Sequence, residues 1–205
     1  MTKIKICGLS REEDIIAVNE TMPDYIGFVF AESKRRISRE KALELKKLLN
    51  PNIKAVGVFV NAPITEVANC CADNTIDLIQ LHGDESDEYM AQLKSITDKP
   101  IIRAVRVRST EDIMKADHLP CDYLLFDAYI KDQYGGSGVT FDWSLIPKIE
   151  KPFFLAGGLD RTNINEAVRQ CDPYCLDISS GVETNWRKDN KKIKEIVTIV
   201  RSITK

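Results

Sequence analysis

The sequence predicts an α/β protein, a single small (β/α)8 barrel occupying residues 1–205. Three observations carry that expectation. Eight short apolar, β-branched runs recur from end to end, segments with helical spacing lie between them, and the runs start 21 to 31 residues apart. Strict strand–helix alternation implies a parallel sheet with right-handed crossovers. Eight such units close naturally into a TIM barrel at the short end of that class. The competing architecture is an open doubly wound sheet, whose nucleotide-binding form carries a glycine fingerprint after its first strand. Here Cys7-Gly8-Leu9 stands in that place.

The predicted strands are Lys3–Cys7, Asp24–Phe30, Ile53–Val60, Asp77–His82, Pro100–Val107, Cys121–Asp127, Pro152–Gly157 and Tyr174–Ser179. Several are apolar almost without alternation, as parallel strands covered on both faces should be. The first helix is marked by Ile15, Val18 and Met22 on one stripe, with Ser10-Arg-Glu-Glu13 as a capping box. Thr140 is placed to cap a sixth helix and Asp160 a seventh. The seventh carries Ile164, Ala167, Val168 and Cys171 on one face; the last carries Ile193, Ile196, Val197 and Val200, with lysines opposite. No composition break divides the chain.

Composition removes several classes of function. Hydrophobic residues make up 43% and charged residues 29%, too apolar for disorder. The balance of 29 Lys and Arg against 31 Asp and Glu gives a net charge of -2, without the excess that nucleic acid or an anionic membrane attracts. The apolar runs are strand-sized, far short of the ~20 residues a spanning helix needs. The N-terminus shows no signal-peptide core. The expected setting is therefore the cytoplasm, with the six cysteines reduced. Cys171-x3-Cys175 lacks a second pair at zinc-site spacing, so no metal is expected.

In such a barrel, chemistry gathers at the C-terminal ends of the strands. Those ends carry Cys7, Arg35 and Arg36, Asn61, Gln80 with His82, Arg103 or Arg106, Asp127, Gly157-Gly158, and Asp177 followed by Ser179-Ser180-Gly181. The two glycine-bearing turns after strands seven and eight fit a phosphate, because glycine lets backbone N–H groups approach an anion. Gly157-Gly158 alone reads equally well as a tight turn. Gly135-Gly-Ser-Gly138 reads as a linker, or as a lid with anion-facing amides. Cys7 reads as a base or nucleophile if nearby positive charge lowers its pKa, or as a small buried hydrophobe. The other five cysteines read as packing. Asp127 reads as a general acid or a loop cap. Asp177 alternates with Leu176 and Ile178, so it should face the barrel interior and need a partner, with Arg103 available. Arg35-Arg36 reads as an anion fork or a solvated charge run, and His82 as a site residue or a satisfied core histidine.

These residues resemble the phosphoribosylanthranilate isomerase family of tryptophan biosynthesis. The resemblance runs almost the whole length through Lys5-Ile-Cys-Gly-Leu9, Ser33-Lys-Arg-Arg36, Gln80-Leu-His-Gly83, Leu125-Phe-Asp127, Gly135-Gly-Ser-Gly138 to Phe141-Asp-Trp143, Leu155-Ala-Gly-Gly-Leu159 and Asp177-Ile-Ser-Ser-Gly-Val-Glu183. It implies an Amadori rearrangement of N-(5-phosphoribosyl)anthranilate to 1-(2-carboxyphenylamino)-1-deoxyribulose 5-phosphate, without cofactor or metal. By the same resemblance Asp127 is the general acid, Cys7 the general base and Arg36 the carboxylate clamp. Gln80, His82 and Asp177 fall in the substrate-binding motifs. Gly136, Gly157, Gly158, Ser179, Ser180 and Gly181 surround the phosphate. The implied partner is a small phosphosugar, with no nucleic acid or membrane, and the assembly a monomer or homodimer.

Two features depart from the family pattern. Many members carry Pro-Gly after Gly-Val-Glu, where this chain has Thr184-Asn-Trp-Arg187 and a shorter loop. The adjacent arginines also leave Arg35 as an alternative clamp. Rival readings are a related phosphosugar barrel and a non-catalytic phospholigand-binding barrel. An indole-glycerol phosphate synthase would call for Lys and Glu at strand ends, and a pentose-phosphate epimerase for metal ligands.

Overall fold

The computed structural model describes residues 1–128 and 140–203. The strands are β1 (Lys3–Cys7), β2 (Tyr25–Val29), β3 (Lys54–Phe59), β4 (Leu78–Leu81), β5 (Ile101–Val107), β6 (Tyr123–Ala128), β7 (Phe153–Leu155) and β8 (Cys175–Ile178). Each pairs in parallel with the next, and β8 pairs with β1, so the sheet closes into a barrel in sequence order. Seven lie inside the predicted runs, and β6 extends one residue beyond its run, to Ala128. The helices are α1 (Glu12–Thr21), α2 (Arg39–Leu48), α3 (Ile64–Ala72), α4 (Asp87–Ile96), α5 (Thr110–Ala116), α6 (Ile164–Cys171) and α7 (Asn190–Ile203).

Alternation along each strand divides the side chains between two cores. Outward residues such as Ile4, Ile6, Phe28 and Leu124 pack with the helices. Inward residues Tyr25, Val56, Leu78, Ile102, Leu125, Phe154 and Cys175 fill the barrel. At its N-terminal end the filling is aromatic: the Phe154 ring lies 5.5 Å from Tyr25 and 5.7 Å from both Tyr123 and Tyr174. Lys3 Nζ donates to the Tyr174 hydroxyl at 2.8 Å. That plug leaves the C-terminal end as the place for polar side chains.

Three helix signals are corrected. Among the described residues no helix follows β6, so Thr140 caps none; only a 3-10 turn, Trp143–Leu145, forms. Pro147 accounts for this stop, because a residue before proline is driven out of helical geometry, and Ile146 has φ -79° and ψ 108°. Asp160 does not cap α6. It accepts from Thr162 N–H in a local turn, and the cap position is taken by Asn163. At α1 the box is shifted by one residue: Asp14, not Glu13, accepts from the Ser10 and Arg11 N–H groups.

Phe154→Ala should destabilise the fold by about 3–5 kcal/mol, since the aromatic plug cannot collapse into the vacated space. Urea unfolding measures it, and a loss below about 1 kcal/mol would contradict this packing.

Candidate active site

Strand register sets which polar side chains share the mouth. Lys5 of β1 stands opposite Asp177 of β8, and Cys7 stands opposite Gly27 of β2. Neighbours at one level of a parallel pair point the same way, so Lys5, Cys7 and Asp177 all face inward. Lys5 is completely buried and donates from Nζ to Asp177 Oδ2 at 2.9 Å. Burial opposes the charge on Lys5, but Asp177 and Cys7 outweigh it and raise its pKa. The other Asp177 oxygen, Oδ1, is buried with no hydrogen-bond partner among the described residues.

Asp177 is thus paired, as an inward acid must be, but not with Arg103. Arg103 is in register with Leu81 and Leu124, whose side chains pack among the helices. Its guanidinium turns outward to Glu85 at 2.9 Å.

Cys7 is buried at the end of β1. A side chain on Gly27 would crowd its sulfur, with a Cβ only 2.7 Å from Sγ, so glycine there makes room for the thiol. Burial pushes the thiol pKa up and is the dominant effect. Lys5 and Lys188 pull it down, while Asp177 adds to the rise. The positive charge expected near Cys7 is present, yet the net shift is upward. Lys188, buried in the segment after β8, donates to the Ser179 carbonyl at 3.0 Å and to Glu183 at 2.6 Å.

Asp127 faces the same mouth three strands away around the ring. It follows inward Leu125 by two residues. Its Oδ1 accepts from the Ala128 N–H at 2.8 Å, and Oδ2 lies 3.4 Å from His82 Nε2. That separation is an ion-pair distance and not a formed hydrogen bond. Gln80 Nε2 sits 2.9 Å from His82 Nδ1. With the amide donating, a neutral imidazole carries its proton on Nε2, directed at Asp127. Gln80, His82 and Asp127 therefore form one buried row.

The two arginines separate clearly. Arg35 donates through Nε and Nη2 to the two oxygens of Glu183, each at 2.7 Å, and its side chain is largely buried. Arg36 has a side chain 56% exposed and, among the described residues, pairs with Glu32, itself exposed, at 2.6 Å. Arg35 is committed to the protein, and Arg36 is open to a ligand.

At the ends of β7 and β8 the two turns are pressed together. Gly157 and Gly158 have φ of 84° and 58°. A Cβ on Gly181 would overlap the Leu159 carbonyl, so only glycine permits this approach. Asn163 holds the first turn from α6, donating to the Gly158 carbonyl at 2.9 Å and accepting from Asp160 N–H at 3.0 Å. Among the described residues, the N–H groups of Gly157, Gly158, Ser180 and Gly181 find no acceptor. Ser179 differs: its hydroxyl donates to the Cys7 carbonyl at 3.1 Å, tying β8 to β1. Gly136, with the rest of Gly135–Gly138, lies outside the described residues. Among the described residues no group of three His, Cys, Asp or Glu side chains is placed to hold a metal ion.

The family model described as N-(5'phosphoribosyl)anthranilate (PRA) isomerase matches residues 4–199. The chain belongs to this family. It is 52% identical to the N-(5'-phosphoribosyl)anthranilate isomerase of Endomicrobium trichonymphae over 203 residues, 99% of this chain and 100% of that one. Its structure is similar to the phosphoribosyl anthranilate isomerase of Thermotoga maritima, with TM-score 0.87 and 31% identity, covering 98% of this chain and 100% of the other. A phosphoribosyl anthranilate isomerase in complex with reduced 1-(o-carboxyphenylamino)-1-deoxyribulose 5-phosphate is also similar, with TM-score 0.84, 30% identity and the same coverages.

Two members of this cluster escaped the reading of strand ends. Lys5 had a signal, since Lys3, Lys5 and Cys7 alternate onto one face of β1. Lys188 had none, because only the path of the segment after β8 brings it under Ser179.

A raised thiol pKa means that Cys7 should be alkylated slowly near pH 7 and faster as the pH climbs beyond the ordinary thiol range. Lys5→Met removes a charge that favours the thiolate and should push the titration higher. Iodoacetamide labelling followed by peptide mass analysis reads both, and a parent midpoint below about 8.5 would contradict the burial argument.

Proposed function

We propose that this isomerase converts N-(5-phosphoribosyl)anthranilate to 1-(2-carboxyphenylamino)-1-deoxyribulose 5-phosphate, with Asp127 and Cys7 as its acid and base. One observation carries the assignment of roles: Cys7 and Asp127 end two inward-facing strands on the same mouth, three strands apart. Family membership supports the reaction, and the bound phosphosugar analogue in a similar structure supports the substrate class.

The substrate's phosphate rests on the N–H groups of Gly157, Gly158, Ser180 and Gly181. Arg36 holds the anthranilate carboxylate at the other end, so the ribose is fixed between two anchors. Asp127 gives its proton to the furanose ring oxygen as the bond from that oxygen to C1 breaks. The lone pair on the anthranilate nitrogen forms the Schiff base. Cys7 then takes the proton from C2, and the electron pair of that C–H bond neutralises the iminium as an enolamine. Protonation at C1 and loss of the hydroxyl proton at C2 give the ketone. Electrons move within the substrate, so its own atoms balance the oxidation at C2 against reduction at C1.

The remaining cluster prepares these groups. His82, oriented by Gln80, directs Nε2 toward Asp127 and keeps its carboxyl facing the sugar. Lys5 holds Asp177 and offsets charge that develops on the Cys7 sulfur. The free Oδ1 of Asp177 is available to a sugar hydroxyl. One barrel, residues 1–205, supplies every group. Among the described residues no helix is long and apolar enough to cross a membrane, and all six cysteines are free, which supports a reducing, cytoplasmic setting.

Purified protein should consume the substrate, seen as loss of its fluorescence, in the presence of a chelator. Persistent fluorescence with folded protein would overturn the reaction. Asp127→Asn and Cys7→Ala should each lower kcat by roughly 10²–10⁴-fold, while a product analogue still binds; near-parental kcat in either removes that residue's role. Arg36→Met should raise KM about 10- to 100-fold, the worth of a charge-assisted clamp. A change confined to kcat would contradict the clamp.

A further inference from the structure

The segment after β8 contains a conformation that the chemistry above does not explain. Two short strands, β9 (Glu183–Thr184) and β10 (Arg187–Lys188), pair as an antiparallel hairpin. Their two connecting residues, Asn185 and Trp186, both have left-handed backbone, with φ of 52° and 64°. Such turns favour Asn-Gly, because only glycine takes the second position without a Cβ penalty. A bulky side chain there is an outlier.

Burial does not offset this strain, since Trp186 is 60% exposed. What the ring meets is positive charge. Lys34 Nζ lies 3.9 Å from its centroid, and Arg35 Cζ lies 5.6 Å away. Both cations belong to the turn between β2 and α2, and the next residue is Arg36. The base of the same hairpin grips that turn as well, through the paired bonds from Arg35 to Glu183. Hairpin base and hairpin tip thus hold one turn at neighbouring points.

We propose that Trp186 is a positioning residue for the carboxylate end of the substrate: its ring straps the Lys34–Arg35 turn to the hairpin, so that Arg36 is presented before substrate arrives. The inference rests on the isomerase reading, because the carboxylate to be held is the substrate's. A turn ordered in advance lowers the entropy lost on binding. It does not touch proton transfer at Cys7 or Asp127. The effect therefore falls on KM and leaves kcat in place.

The decisive variant is Trp186→Gly, which removes the ring and relieves the turn, so folding is not at risk. Two quantities are read beside the parent and Trp186→Tyr. Amide hydrogen exchange over residues 32–37 should quicken in the glycine variant and stay parental in the tyrosine variant. KM for N-(5-phosphoribosyl)anthranilate should rise about 2- to 5-fold in the glycine variant, the scale of an exposed cation–π contact, with kcat within about twofold. The Kd of reduced 1-(o-carboxyphenylamino)-1-deoxyribulose 5-phosphate should rise in parallel. Unchanged exchange overturns the strap, and faster exchange with unchanged KM and Kd overturns its role in binding. A fall in kcat alone also overturns it. Failure of the parent to turn over substrate would instead overturn the isomerase reading, and the exchange arm would still decide whether the strap exists.

Discussion

The buried pair of Lys5 and Asp177 sits where the barrel closes. β8 must meet β1 in the one register that places these two side chains at the same level, and a slip of β8 by one residue would turn Asp177 outward. An unpaired ammonium or carboxylate at that depth costs several kcal/mol, and removing one partner of a buried pair typically costs about 3–5 kcal/mol. The pair therefore ties closure of the fold to assembly of the site. Cys7 is one step further along the same face of β1, and Ser179 reaches across the seam to its carbonyl.

From that seam the interior divides. Toward the N-terminal end the barrel is filled by Phe154 and three tyrosines, with Lys3 bonded to one of them. Toward the other end lie two buried polar groups, Gln80 with His82 and Asp127, and Lys5 with Asp177 beside Cys7. A buried polar cluster is costly unless its members satisfy one another. Among the described residues, Gln80 Oε1, His82 Nε2 and Asp177 Oδ1 lack hydrogen-bond partners. Of these, His82 Nε2 faces Asp127 Oδ2 at 3.4 Å. Cys7 stands under the same opposition: burial raises its pKa, and the charges of Lys5 and Lys188 favour the thiolate.

The arginine turn shows how adjacent, identical residues receive different work. Arg35 is spent on Glu183, which Lys188 also grips, and this triad fixes the turn to the segment after β8. Arg36 keeps an exposed guanidinium. Sequence alone leaves the two equivalent, because the distinction is made by a carboxylate distant in the chain.

The same contrast runs through the molecule. The strands are legible because parallel strands covered on both faces must be apolar, and the positions of Cys7 and Asp127 follow once strand ends are known. The partner of Asp177 is legible only in part: alternation puts Lys5 on the face of Cys7, but that Lys5 meets Asp177 while Arg103 falls on the outward face is decided by register between strands. A missing sixth helix follows from Pro147, whose effect outweighs the capping signal at Thr140. The hairpin carrying Trp186 defies its own turn preference and is visible only in three dimensions. The most direct test of the central claim is a crystal structure with reduced 1-(o-carboxyphenylamino)-1-deoxyribulose 5-phosphate bound. The account predicts Cys7 Sγ and an Asp127 carboxylate oxygen each within about 3–4 Å of the sugar's reacting atoms, on different sides of the chain. A ligand seated with its phosphate on the Gly158 and Gly181 turns but with either group out of reach would contradict it.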